Sequence, residues 1–126
     1  GYVELPYTLP QDSTMFFILQ EQGIEIWKRK LDWIVRHRGM ALLNVHPDYI
    51  QFENEPPRRR AYPVRHYREF LEAIRRDYAG RYWNPLPREV ASLVSENRPR
   101  LSPAPTQSSE VKSPNVTVPR RIWIDL

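Results

Sequence analysis

Gly39-Met40-Ala41-Leu42-Leu43-Asn44-Val45-His46-Pro47-Asp48-Tyr49 is the stretch on which the fold reading turns. Its apolar run, Met40 to Val45, scarcely alternates with polar residues. Such a run suits a strand buried on both faces, as in a parallel sheet covered by helices, and places the chain in the α/β class. The run stops abruptly at His46-Pro47-Asp48-Tyr49, which puts polar groups at the strand's C-terminal end. In open α/β sheets and in α/β barrels, chemistry is built at that end.

Working back from this strand, Ile24, Trp27, Leu31, Ile34 and Val35 recur at helical spacing, with Lys28, Arg29, Lys30 and Asp32 on the other faces. Arg36, His37 and Arg38 crowd the last turn, where cations complement the helix dipole, and Gly39 is expected to stop the helix. Earlier still, residues 2–9 read as an extended segment interrupted by Pro6 and Pro10, and thus as an edge or a strand end. Asp12 or Ser13 then caps a helical run from Met15 to Leu19.

Working forward, residues 51–63 form a polar loop rich in Pro and Arg. After Pro63 an amphipathic helix follows, with Tyr67, Phe70, Leu71, Ile74 and Tyr78 as its apolar stripe and Gly80 closing it. Arg81 to Leu86 is an aromatic connection, and Pro87 starts a short helix carrying Val90, Leu93 and Val94. From Arg98 to Pro119 the periodicity is lost and Pro, Ser, Thr and Asn dominate, the composition of a disordered linker. Arg120 to Leu126 reads as the first strand of a following, truncated domain. The expected division is therefore a globular unit over 1–97, a linker over 98–119 and a new strand over 120–126. About 95 residues remain to build a core, enough for a small domain.

The 126 residues contain no Cys, which removes disulfide scaffolds and thiolate metal sites, and the cytoplasm is the expected location. The chain opens Gly1-Tyr2-Val3-Glu4 and reads as a piece of a longer protein. No apolar stretch approaches the roughly 20 residues that span a bilayer. A net charge of +4 comes mostly from arginines that cluster between Arg58 and Arg81. Glu69, Glu72 and Asp77 are interleaved with them, so the pattern reads as a solvated helix face rather than a nucleic-acid surface.

Three histidines are present. His37, at a helix end among arginines, and His66, at the start of the Arg-rich helix, read as surface residues. His46 stands apart, because an imidazole at the mouth of a parallel sheet can give or take a proton near pH 7. An equal alternative makes it a histidine that bonds the adjacent turn. Asp48 either orients the His46 ring or, the favoured reading, forms an Asx-turn after Pro47. Asp12 is either a second polar group at a strand end or, the favoured reading, a helix N-cap. Tyr82-Trp83 suits packing better than sugar stacking. A zinc site needs three or four converging ligands, so no metal-ligand set is assigned in this chain.

Two blocks carry a resemblance: Val3-Glu4-Leu5-Pro6-Tyr7-Thr8-Leu9-Pro10-Gln11-Asp12 and, about 30 residues on, Gly39 to Tyr49. With the Ile-Trp-Lys-containing helix between them, they resemble the C-terminal part of bacterial polysaccharide deacetylase-like proteins, over roughly residues 2–80. The resemblance implies the C-terminal part of a distorted (β/α) barrel of the family 4 carbohydrate esterase type, incomplete here. It implies hydrolysis of acetyl groups on sugars with a divalent metal, zinc being expected, held with its catalytic base by the N-terminal half of the same barrel. That half would lie outside this chain, leaving the 126 residues without a bound metal and inactive alone. The family's late motif is Leu-x-His, with the His as general acid. His46 matches it, while Asn44 stands where the Leu would line the acetyl pocket, a role that passes to Leu43 or Val45. His46 is thus the expected catalytic residue, with Leu43, Asn44, Asp48 and Asp12 as substrate-binding candidates and a carbohydrate as substrate. Arg121 to Leu126 resembles the opening strand of a glycosyltransferase-like domain with two Rossmann-type halves, which a fused partner would supply. The alternative from a different class is a non-catalytic module whose basic helix meets an acidic partner or polyanion.

Overall fold

The computed structural model describes residues 2–97 and the backbone of residues 122–125. The segment read as a linker, 98–119, lies outside the described residues. Element by element the chain runs as follows: a π-helical turn (Thr14–Ile18), α1 (Glu25–Arg36), β1 (Met40–Leu42) and a 3₁₀ turn (Pro47–Tyr49) come first. Then come β2 (Ile50–Gln51), β3 (Tyr62–Pro63), α2 (Val64–Asp77), β4 (Tyr82–Trp83), α3 (Pro87–Glu96) and β5 (Ile122–Asp125). Mixed helix and parallel strand is the α/β class expected from the Met40–Val45 run.

The strands pair in parallel throughout. β5 sits between β1 and β4, with Ala41 opposite Ile124 and Trp83 opposite Trp123. β2 and β3 form a separate pair in which Ile50 faces Tyr62. The tail strand, read from sequence as the opening of a following domain, thus shares a sheet with β1 and β4. Tyr82 and Trp83, read as part of a connection, form β4.

α1 buries Trp27, Leu31, Ile34 and Val35 as the spacing requires. These residues join Leu9, Met15, Ile24, Ala41, Leu43, Phe70 and Ile74 in one apolar core. The two long helices meet through Trp27 and Phe70, whose ring centroids lie 5.1 Å apart. A second tie crosses them at the surface, where the Tyr78 hydroxyl donates to Asp32 at 2.5 Å. Burial and that carboxylate push the phenol up to about 12.

α1 ends differently from expectation. The left-handed residue is Arg38, at φ 54°, and not Gly39. Gly39 N–H donates to Ile34 O at 2.9 Å and Arg38 N–H to Val35 O at 3.1 Å, the two bonds of a Schellman cap. Gly39 serves instead through its lack of a side chain, since a Cβ there would meet Ile34 Cγ2 at 3.2 Å. Gly80, at φ 70°, does take the left-handed conformation after α2. No helix among the described residues is long and apolar enough to cross a membrane.

Candidate functional site

The extended segment before the π-helical turn runs beside the end of β1 in the same direction. Thr8 and Leu9 N–H donate to Leu42 O, and Leu42 N–H donates to Thr8 Oγ1 at 2.8 Å. Further along, Asn44 Nδ2 donates to Gln11 Oε1 at 3.3 Å, and Asp12 arrives beside His46. Trp27 anchors this segment from α1, its indole N–H donating to Pro10 O at 2.7 Å. Two stretches 34 residues apart in sequence thus meet residue by residue at the C-terminal end of β1.

Asp12 is fully buried. A buried carboxylate requires compensating donors, and three N–H groups supply them. His46 N–H donates to Oδ2 at 2.8 Å, the His46 ring meets Oδ1 through Nδ1 at 2.6 Å, and Ser13 N–H also reaches Oδ1 at 2.8 Å. Asp12 therefore grips His46 by backbone and ring together. Because the carboxylate accepts, the contact places a proton on Nδ1 and leaves Nε2 as the nitrogen that can take or give one. The His46 side chain is 38% exposed, so the ring is supported from below and open above. Tyr49 flanks it at 5.0 Å between centroids, Phe17 packs edge-on to Tyr49 at 4.9 Å, and the Arg60 guanidinium lies over Phe17.

The candidate residues separate cleanly. Asp12 and His46 come together, and Asn44 stands beside them on Gln11. Leu43 is 6% exposed and belongs to the apolar core. Asp48 is exposed on the 3₁₀ turn, and its backbone carbonyl accepts from Arg58. The carboxylate that orients the ring is Asp12, supplied from 34 residues upstream rather than two downstream. Asp12 makes no cap bond to the second or third N–H of the turn, its bond to Ser13 being to the next residue.

Tyr62 was not marked by any sequence signal beyond its place before Pro63. It is 2% exposed, stacks on Phe16 at 4.2 Å, and its ionisation is pushed well above the usual tyrosine range by burial and then by the Asp12 carboxylate. His66 corrects the surface reading: it is buried, stacked on Phe16 at 5.3 Å, and its Nδ1 has no hydrogen-bond partner among the described residues. His37 does lie at the surface, stacked on Trp33 with Nδ1 on the Trp33 carbonyl.

Two clefts lie elsewhere. One, of about 480 Å³, is formed by the loop after β2, with Phe52, Arg58 and Arg65 among its walls. The other, of about 230 Å³, lies between α1 and α2 around Asp32 and Tyr78. Asp12 and His46 line neither. Among the described residues no three His, Cys, Asp or Glu side chains converge as a metal would need. Asp12 accepts from three N–H groups and His46 Nδ1 is taken up by Asp12, so among the described residues this pair alone does not supply the three or four ligands that a divalent ion takes. What the arrangement offers is an oriented imidazole able to transfer a proton. A scan against protein-family models finds no match, and searches among curated proteins and solved structures return none.

Proposed function

We propose that this chain is the C-terminal part of a glycan deacetylase barrel and that His46 is its general acid. The observation that carries the reading is the Asp12–His46 pair, four residues beyond the C-terminal end of the parallel strand β1. Asp12 fixes ring orientation and the Nδ1–H tautomer, so that only Nε2 exchanges a proton with the reacting group. As the acyl carbon–nitrogen or carbon–oxygen bond breaks, a proton on Nε2 passes to the departing amine or alcohol, and the ring is left neutral on Asp12. Residues outside this chain would activate the water and hold the divalent ion that the resemblance implies. Asn44, held by Gln11, sits where the family's acetyl-pocket leucine would be, which favours a substrate other than an ordinary N-acetyl sugar.

The test uses the longer parent protein with its ion bound. His46→Ala lowers turnover by on the order of 10²–10⁴, the usual worth of a positioned proton donor, while metal content stays constant. Asp12→Asn lowers turnover in the same direction, because an amide does not hold the ring in one tautomer. Loss is greatest on substrates with poor leaving groups, which need the proton most. Turnover per folded, metal-loaded molecule close to that of the wild type in His46→Ala would sink the catalytic role and leave His46 a turn residue.

A further inference from the structure

The Asp12 carboxylate has room for one more donor, and a buried hydroxyl without a partner lies on a strand packed against both stretches that make the pair. An ionised carboxylate offers about four acceptor sites. Two N–H groups occupy Oδ1 and one occupies Oδ2, so Oδ2 keeps a place. Tyr62 is 2% exposed, and its hydroxyl oxygen has no hydrogen-bond partner of standard geometry among the described residues. Buried polar atoms without a partner are rare in folded proteins and call for a physical reason. Two contacts place this residue. The ring is stacked on Phe16, four residues beyond Asp12, and the backbone is paired with Ile50, four residues beyond His46. β3 therefore holds Tyr62 against both stretches that make the pair.

We infer that Tyr62 is a positioning residue for the Asp12–His46 pair, its hydroxyl closing onto the free site of Asp12 and drawing off part of the carboxylate charge. Tyr62 does not touch the exchanging nitrogen. It acts through Asp12: a carboxylate shared with a fourth donor holds the imidazolium less strongly, so the hydroxyl keeps His46 readier to release its proton. The pair itself, and not the reaction assigned to it, is the object of this inference.

The experiment follows His46 in this chain by long-range ¹H–¹⁵N correlation across a pH titration, with no turnover involved. A parent without deacetylase activity therefore would not bear on it. Tyr62→Phe keeps the ring on Phe16 and removes only the hydroxyl. The His46 ring signals then shift to a different midpoint as the carboxylate charge concentrates on the ring. Asp12→Asn moves the midpoint down, and adding Tyr62→Phe to it changes nothing further. An unchanged midpoint in Tyr62→Phe, or an equal shift with and without Asp12, overturns the inference and makes the tyrosine a packing residue only. Should either variant not fold, the wild type decides. A Tyr62 hydroxyl proton that exchanges slowly and shows a nuclear Overhauser contact to His46 Nδ1–H is the expected result, and rapid exchange with water overturns it.

Discussion

His66 shows how one side chain couples the core to pH. Its ring is buried against Phe16, and burial, helped by Arg65 and opposed by Glu69, holds its pKa below the usual 6.5. The folded chain therefore carries His66 neutral at pH values where the unfolded chain has already taken up a proton. Stability from this residue is complete above pH 6.5 and is lost progressively as pH falls below that value toward the lower folded-state pKa. His66→Phe retains the stacking and removes the titration. Comparing urea midpoints at pH 7.5 and 5.5, the variant should lose less stability on acidification than the wild type. Equal losses in both would mean that the acid sensitivity resides elsewhere. The same locality governs Asp12, which tolerates full burial because three N–H groups converge on it.

At the scale of elements, α1 and its cap determine where β1 begins. A non-glycine residue in the left-handed region costs roughly 1–2 kcal/mol, and Arg38 occupies it so that Gly39 can pass close to Ile34. Arg38→Gly relieves that cost but gives the unfolded chain more freedom, worth about 0.5–1 kcal/mol. The net expectation is a gain of up to about 1 kcal/mol, read as a higher urea midpoint at unchanged slope. A midpoint at or below that of the wild type would show that Arg38 contributes something beyond backbone geometry. Short strands depend on such joints: β1 has three residues, and its position follows from the Schellman cap before it and from Thr8 and Leu9 beside it.

For the molecule as a whole, the organising fact is a sheet whose middle strand comes last. β1 and β4 do not pair with each other; both pair with β5. Truncation after residue 121 would remove that strand and leave β1 and β4 with unpaired backbone groups. At about 0.5–1.5 kcal/mol net per hydrogen bond, a loss on the order of 2–4 kcal/mol is expected, with a greater tendency to self-associate through the new edges. Denaturation of the full and truncated chains, with light scattering at matched concentration, measures both. Identical midpoints would show that the tail strand adds nothing to the sheet.

The amino-acid sequence by itself determined the elements whose cause is local. Ile24, Trp27, Leu31, Ile34 and Val35 face one way on any helix. The run Met40 to Val45, expected to be buried on both faces, buries only Ala41 and Leu43 and leaves the alternate residues half-buried. The sequence also singled out His46, because polarity returns there at once, although β1 ends at Leu42 and His46 follows four residues later. It did not determine which carboxylate would serve that histidine. Asp48 is near in sequence, but the 3₁₀ turn leaves it in solvent, whereas the parallel run of 8–12 beside 42–46 brings in Asp12. The burial of His66 was hidden for a related reason: only the arrival of Phe16 and Tyr62 shows which face of α2's first turn is covered. Helical period and strand polarity are properties of consecutive residues. Pairings across 34 residues are decided by which surfaces the packed core brings into contact, and only the tertiary structure holds that information.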